Sequence, residues 1–113
     1  MNIINNQRKK ALTELLLDQH ALYDDRDDAA MDLGEEFEED DVLNALIQVG
    51  KDHNELDTIL SSCGESIGAI WVKRNSFDKK CYDSLSKEAQ YGIYYVLRDD
   101  RPEWLDPLEN KWK

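Results

Sequence analysis

Apolar residues recur at helical spacing through most of this chain, and the pattern is clearest over residues 56–74. It marks one continuous apolar face over several helical turns, which is typical of a helix buried by its neighbours. The only β-like run, residues 67–72, lies inside the same segment and keeps the helical period. The residues of the apolar face are Ile59, Leu60, Cys63, Ile67, Ile70 and Trp71. The pattern therefore predicts an all-α fold with this segment as its central helix.

About five or six short helices are predicted in total, from apolar spacing and from the residues that begin and end helices. The expected helical segments are residues 7–18, a short stretch from the 24–28 cluster to Gly34, and residues 40–51, 56–74, 78–85 and 86–98. Gly34 would end the second helix at positive φ, and Ser86 would cap the last one. Short polar turns without a sustained heptad favour antiparallel hairpins stacked in a HEAT-like manner.

The length and composition suit one helical domain over residues 1–113. A chain of 113 residues with 41% hydrophobic content can enclose one modest core. The tail, residues 102–113, is open to two interpretations. Trp104 and Leu105 could pack back on the core, or the tail could fray entirely.

The location of the protein is predicted to be cytoplasmic. The first residues lack an apolar stretch of signal-peptide length, and no later segment is long enough to span a bilayer. In a reducing compartment Cys63 and Cys81 are expected to be buried or half-buried free thiols. A single disulfide between them is the less favoured alternative.

The acidity of the chain is concentrated in residues 24–41, which contain eleven acids and one base, Arg26. This segment alone carries a formal charge of −10, whereas the whole chain carries −11. A local negative field repels nucleic acid and anionic membranes, and it attracts basic surfaces. The segment therefore favours a positively charged protein partner, with no direct nucleic-acid or membrane binding.

The candidate partner-binding residues are the acids of this segment and two aromatic residues beside them. They are Tyr23, Asp24, Asp25, Asp27, Asp28, Asp32, Glu35, Glu36, Phe37, Glu38, Glu39, Asp40 and Asp41. Capping of two helix N-termini by carboxylates accounts for part of this charge. The remaining acids repel one another, which favours a binding role for them. Phe37 is expected either to anchor a partner or to pack at the turn between two helices.

One motif invites a catalytic interpretation, because residues 64–68 match the G-x-S-x-G pattern of a hydrolase nucleophile elbow. That elbow requires a strand before Ser66, a helix after it and a histidine later in the chain. Both His20 and His53 precede the serine, and the flanks have helical period. The sequence therefore predicts no enzyme. Gly64 and Gly68 instead indicate close approach of a neighbouring helix to the central one.

No metal or cofactor is predicted either. A calcium loop that begins at Asp25 would place Ala29 and Ala30 at its fifth and sixth positions, where a ligand and a glycine are needed. Zinc ligands would have to cluster, and the cysteines and histidines have no ligand spacing.

Two phrases of the chain are similar to a known group of proteins. DDVLNALIQVGKD at residues 40–52 and ILSSCGESIGAIW at residues 59–71, within the stretch from residue 24 to 97, resemble small HEAT-like immunity proteins of bacterial toxin systems. These include the contact-dependent growth-inhibition type. The resemblance implies a cytoplasmic, non-enzymatic protein that binds the C-terminal domain of one cognate toxin and blocks its active site or a nearby surface.

Such toxins are often nucleases with basic clefts, so the resemblance and the acidic segment lead to the same expectation. Carboxylates of residues 24–41 would lie against toxin lysines and arginines and exclude the nucleic acid substrate. The alternative from another class is a HEAT-like adaptor or scaffold module that binds a basic protein partner. A DNA-mimic regulator is a third interpretation of the same charge.

Overall fold

The structure, a computed structural model, describes the backbone of residues 3–108 and the side chains of residues 3–105. Within that range the chain forms six α-helices followed by a 3₁₀ helix, without strands. The elements are α1 (Ile3–Leu17), α2 (Tyr23–Glu36), α3 (Asp40–Gly50), α4 (Asp57–Arg74), α5 (Lys79–Ser84), α6 (Lys87–Asp100) and the 3₁₀ helix (Pro102–Leu108). The predicted all-α class of short stacked helices is confirmed.

Successive helices pair as antiparallel hairpins. Arg8 near the start of α1 contacts Glu36 at the end of α2, whereas the Leu16 carbonyl at the end of α1 accepts from Arg26 near the start of α2. In the second hairpin, Arg74 at the end of α4 pairs with Asp40 at the start of α3. The short helix α5 leads directly into α6, and the Gln90 side chain of α6 donates to the Tyr82 carbonyl of α5.

Helices α2, α4 and α6 run parallel in one layer. The Ser86 amide before α6 donates to the Gly50 carbonyl at the end of α3, which places the start of α6 near the start of α4. Arg101 after α6 donates to Asn75 after α4, so the two helices also end together. The layer therefore reads α2, α4, α6, with α4 in the middle and α1, α3 and α5 behind it.

Helix α4 supplies the centre of the hydrophobic core, as the sequence predicts. All six residues of its expected apolar face are buried, among them Ile59, Ile67 and Trp71. Leu16 of α1 and Leu46 of α3 are fully buried against the same core. The apolar period of the sequence and the burial pattern of this helix therefore agree residue by residue.

Small residues bring both neighbours of α4 to unusually short range. A Cβ added to Gly64 would overlap the backbone of Ala89 in α6, and a Cβ on Gly92 would overlap the Ser61 carbonyl in α4. On the other side, a Cβ on Gly34 of α2 would overlap Ser66. The close approach predicted at the α4 glycines is therefore confirmed. In α2, Gly34 likewise permits close packing against α4.

The prediction that Gly34 ends the second helix is wrong. Helix α2 continues to Glu36, and the only positive φ among the described residues belongs to Asn75, which ends α4. Gly34 lies inside α2 because the contact with Ser66 needs a residue without a side chain. Sequence alone does not separate a glycine that ends a helix from one that permits packing.

The remaining helix ends and the tail are largely as expected. The Ser86 hydroxyl accepts from the Ala89 amide at 3.2 Å and caps α6, as predicted. The ring of Trp104 stacks on Phe77 at 5.8 Å between centroids, and Leu105 packs against the core. The first of the two interpretations of the tail therefore holds for these two residues, while residues 109–113 lie outside the described residues.

Both cysteines are free thiols, with Cys63 buried and Cys81 half-buried as predicted. Burial raises the pKa of the Cys63 thiol to about 12, so it stays protonated at neutral pH. Within residues 3–108, no helix combines the length and the apolar character needed to cross a bilayer.

A buried ion pair, which the sequence does not reveal, joins three elements. Arg26, the one base of the acidic segment, donates two hydrogen bonds to Glu55, of 3.0 and 2.6 Å, and a third to the Leu16 carbonyl at 3.0 Å. Both side chains are about 95% buried, since their exposed fractions are 5% and 4%. The pair ties the end of α1 and the start of α2 to the loop before α4.

We expect Arg26→Met to lower the free energy of unfolding by about 3–5 kcal/mol at neutral pH, because Glu55 would be left as an unpaired buried charge. The Arg26 hydrogen bonds hold the pKa of Glu55 below its usual 4.5, so their contribution is present above pH 4.5 and is lost as the pH falls through the depressed pKa. In the variant, burial without a partner should raise the pKa of Glu55, and acid should stabilise the variant relative to the wild type. Urea denaturation of both proteins at neutral and acid pH measures the difference between their free energies of unfolding, which should become smaller in acid.

The matched control for that experiment is the double variant Arg26→Met/Glu55→Met. It removes both charges together and should recover most of the lost stability, because apolar replacements of buried ion pairs are often neutral or stabilising. A double variant as unstable as Arg26→Met would contradict this account of the pair.

We expect Gly64→Ala to destabilise the fold by about 1–3 kcal/mol, although alanine is the better helix former by about 1 kcal/mol. The added methyl would overlap backbone atoms of Ala89, which cannot rotate away. The control is Gly50→Ala, whose methyl would lie 3.2 Å from the end of the flexible Leu85 side chain and at ordinary contact distance from Ala89 and Ile67. Thermal unfolding of both variants checks the prediction, and equal midpoints would show that the α4–α6 crossing tolerates a larger separation.

Candidate protein-binding face

Two acids on one side of α2 pair with a single base of α1. Arg8 donates two hydrogen bonds of 2.6 Å to the Glu36 carboxylate and lies 3.4 Å from the Asp32 carboxylate. These hydrogen bonds from Arg8 lower the pKa of Glu36. All three side chains are partly solvated, so the pairs orient α1 on α2 and contribute only modestly to stability.

The acids at the start of α3 are also matched by bases from other helices. Lys9 of α1 pairs with Asp41 at 3.0 Å, and Arg74 of α4 pairs with Asp40 at 2.8 Å. Next to them, Lys73 of α4 donates to the Gly34 carbonyl at 2.7 Å and to the Phe37 carbonyl at 2.9 Å, where α2 ends. Lys9 and Arg74 are distant in sequence from the acids with which they pair, and Lys73 is distant from the carbonyl groups to which it donates.

The expected carboxylate capping is seen only in part. The N-cap residues of α2 and α3 are Leu22 and Glu39, and neither side chain accepts a hydrogen bond from its helix. The Asp41 carboxylate does accept from the Val42 amide at 2.9 Å. Asp24 and Asp25, like the first two acids of α3, lie in the first helical turn, where a negative charge is favourable.

Seven acids of the segment have no ion pair with any described residue, namely Asp24, Asp25, Asp27, Asp28, Glu35, Glu38 and Glu39. Asp27 is half-buried and accepts from the Ser62 hydroxyl of α4 at 2.6 Å. The acidic segment is therefore divided into a part compensated within the fold and a part left open. The open part is the one available to a partner.

Asp24, Asp28 and Glu35 share one side of α2 with Met31, because their spacing of four, three and four residues returns to the same helical face. The compensated Asp32 and Glu36 lie on the neighbouring side of α2, toward α1. Two neighbouring helices continue the open side. On α4, the half-buried residues Ser61, Glu65 and Ala69 recur every four residues. On α6, residues 88, 92, 95 and 99 repeat the spacing of four, three and four residues found on α2.

We call this surface the α2–α4–α6 face. It consists of Asp24, Asp28, Met31 and Glu35 from α2, of Ser61, Glu65 and Ala69 from α4, and of Glu88, Tyr91, Gly92, Tyr95, Val96 and Asp99 from α6. Two clefts lie on it. One, of about 250 Å³, is lined by residues of α4 and α6, and the other, of about 220 Å³, is lined by all three helices.

Glu65 lines both clefts. It has neither an ion pair nor a hydrogen bond to any described side chain or backbone group. Partial burial and the nearby negative charge of Asp27 raise the pKa of its carboxyl, so the fold holds a carboxylate there at a cost. A positive charge brought into the cleft would relieve that cost.

The two aromatic candidates of the sequence occupy different environments. Phe37 is only 8% exposed and belongs to the core, so it packs at the turn and is not an exposed anchor. Tyr23 is 45% exposed and lines a shallow depression with Leu56 and Asp57. The exposed tyrosines of the α2–α4–α6 face are Tyr91 and Tyr95 of α6, at 47% and 46%.

The G-x-S-x-G motif lies entirely within α4, as its helical flanks predict. Ser66 is buried and donates to the Ala30 carbonyl of α2 at 2.5 Å, so its hydroxyl serves the contact between the two helices. Among residues 3–108, no three histidine, cysteine, aspartate or glutamate side chains converge as metal ligands do.

The sequence interpretation missed the contribution of α4 and α6 to this face. The signal was present, because Ser61, Glu65 and Ala69 form a polar or small stripe opposite the apolar face of the central helix. The relation of that stripe to Asp28 and Tyr95 depends on the parallel packing of three helices. Residue spacing within one helix does not contain that information.

Comparison with known proteins identifies no relative, since no family model, curated protein or solved structure matches this chain. The chemistry of the face is nevertheless specific. It combines unpaired carboxylates with exposed phenol rings, and both groups bind lysine and arginine side chains. Arg98, stacked 5.0 Å from the Tyr95 ring centre, shows that contact within the chain itself.

Proposed function

We propose that this chain is an immunity protein that neutralises a cognate toxin by placing its acidic α2–α4–α6 face against a basic cleft of the toxin domain. The observation that carries the proposal is the division of the acidic segment. Arg8, Lys9 and Arg74 compensate one part within the fold, whereas Asp24, Asp28 and Glu35 remain open on one side of α2. Unpaired like charges gathered on one face are useful to a partner of opposite charge.

A nuclease domain is the toxin class that fits this surface best. A cleft that binds phosphodiesters presents lysine and arginine at intervals along a groove. Carboxylates along three parallel helices offer charges of the sign that such a groove is built to accept. Inhibition would then be by substrate exclusion, because nucleic acid and the acidic face would compete for the same basic side chains.

Of the two phrases that resemble immunity proteins, residues 59–71 belong to α4, which contributes Ser61, Glu65 and Ala69 to the face, and residues 40–52 belong to α3 and its end, behind the face. Electrostatic steering suits such a role, because a fast association limits the damage done by a free toxin. The adaptor alternative shares the basic partner and differs in outcome. An adaptor would bind its partner without abolishing the activity of that partner.

The direct experiment is co-expression of the full chain with the C-terminal domain of a secreted protein encoded next to it. We expect the cells to survive, the two proteins to purify as a one-to-one complex, and nuclease activity to fall in proportion to complex formed. A complex with full nuclease activity would favour the adaptor function. Undiminished toxicity with no complex would overturn the proposal.

The contact face can be tested with two variants that remove the same number of charges from the same helix. Asp24→Asn/Asp28→Asn/Glu35→Gln changes the open side of α2, and Asp25→Asn/Asp32→Asn/Glu36→Gln changes the side toward α1. We expect the first variant to weaken toxin binding about tenfold or more, equivalent to about 1.4 kcal/mol, through slower association and faster dissociation.

The second variant should mainly slow association through its lower net charge and leave dissociation nearly unchanged. Stopped-flow and surface-plasmon measurements over a range of salt concentrations separate the two rates, because exposed charges are screened beyond about 10 Å at 0.1 M salt. Equal effects of both variants on dissociation would place the contact elsewhere than the α2–α4–α6 face.

A further inference from the structure

A cleft on the α2–α4–α6 face has the features of a site for one side chain of a partner. Ser61 and Glu65 of α4 and Tyr91, Gly92 and Tyr95 of α6 line it. The absence of a side chain at Gly92 lets α6 lie directly on the Ser61 carbonyl, so the cleft is narrow between the two helices. Its volume of about 250 Å³ lies below the roughly 300–1,000 Å³ of pockets for drug-sized ligands, so it suits a single side chain better than a free small molecule.

The charged groups around the cleft are predominantly acidic. From α2, half-buried Asp27 faces α4 through Ser62, and the open Glu35 lines the adjacent cleft together with Glu65. From α6, Glu88 and Asp99 flank the cleft at helical spacing. The bases of α6 are Lys87, which adjoins Glu88 in the sequence, and Arg98, which stacks on Tyr95 and lies 3.8 Å from Asp99.

Glu65 is the group of this cleft that lacks a partner. Its carboxylate is half-buried, unpaired within the described residues and close to Asp27. Elsewhere in the fold, the buried carboxylate Glu55 has an arginine with two hydrogen bonds. The contrast indicates that the counter-charge of Glu65 is not supplied by the residues that the structure describes.

We propose that this cleft receives one arginine or lysine side chain of a basic protein partner, whose charge pairs with Glu65 while its stem lies between the rings of Tyr91 and Tyr95. The two phenol rings offer negative ring faces to a cation, and the partial burial of Glu65 strengthens its attraction to that charge. Arginine is the better fit, because its planar group stacks on rings and donates to a carboxylate at the same time. Glu65 would then be the central contact, and the open acids of α2 would form a rim around it.

The probe for this site is hexa-arginine, added to the full ¹⁵N-labelled chain in an NMR titration. We expect saturable shifts of the backbone amides of Ser61, Glu65, Tyr91, Gly92 and Tyr95. The pKa of Glu65, followed through its side-chain ¹³C resonance, should fall on binding, because a nearby cation favours the charged form. Both readouts report on the cleft itself and not on the overall negative charge.

Three single variants give the expected differences in affinity. Glu65→Gln should weaken hexa-arginine binding about fivefold, and Tyr91→Leu about threefold. The matched control is Asp25→Asn, which removes the same charge from the α1 side of α2 and should change affinity by less than about twofold. Glu65→Gln should fold normally, since it removes a half-buried unpaired carboxylate.

Two results would overturn the inference. One is equal weakening by Glu65→Gln and Asp25→Asn, with shifts spread over all exposed acids, because that pattern means diffuse attraction only. The other is equally tight binding of an uncharged hexapeptide such as hexa-glutamine at the same amides, which would make the cleft a general peptide groove.

The biological meaning of the site rests on the proposed function, but its test does not. Hexa-arginine can bind the cleft even if no toxin is neutralised, and that result would remove the immunity role and keep the site. Conversely, a toxin domain can be inhibited by a Glu65→Gln variant with unchanged affinity. That result would keep the immunity role and exclude the cleft from the interface.

Discussion

The packing of α4 against α2 and α6 through small residues is the constraint on which the rest of the structure depends. Gly34 meets Ser66 on one side, and Gly64 and Gly92 let α4 and α6 touch backbone to backbone on the other. Helices that approach this closely leave shallow, narrow grooves between them and little room for other side chains. The clefts around Glu65 and the parallel stripes of acids on both flanks follow directly from that closeness.

The distribution of charge shows why a count of acids in the sequence overstates the available negative surface. Arg26 is inside the protein with Glu55, and four other bases reach the segment from α1 and α4. In most of these ion pairs the acid and the base are about thirty residues or more apart in the sequence, so only the fold brings them together. What a partner meets is the remainder, which lies on the side of α2 away from α1.

Local patterns predicted the fold well because each helix is amphipathic by itself. The apolar face of α4, the Ser86 cap and the end of α4 at Asn75 all follow from residues within a few turns of one another. The errors arose where one residue type serves two purposes. Gly34 permits packing and does not end its helix, and Phe37, the large apolar residue among acids, belongs to the core. Of the candidate site, the acids of α2 were found and the α4 and α6 contributions were not, because parallel packing of distant helices is a tertiary property.

The outward stripe of α4 has a consequence for how such a protein can diverge. The side chains of residues 61, 65 and 69 are half-exposed, and the close contact of residues 61 and 65 with Gly92 of α6 involves their backbone atoms. Mutations in the stripe can therefore alter which surface is recognised while the scaffold stays intact. A lineage built on this helix can acquire new binding preferences one side chain at a time, without passing through unfolded intermediates.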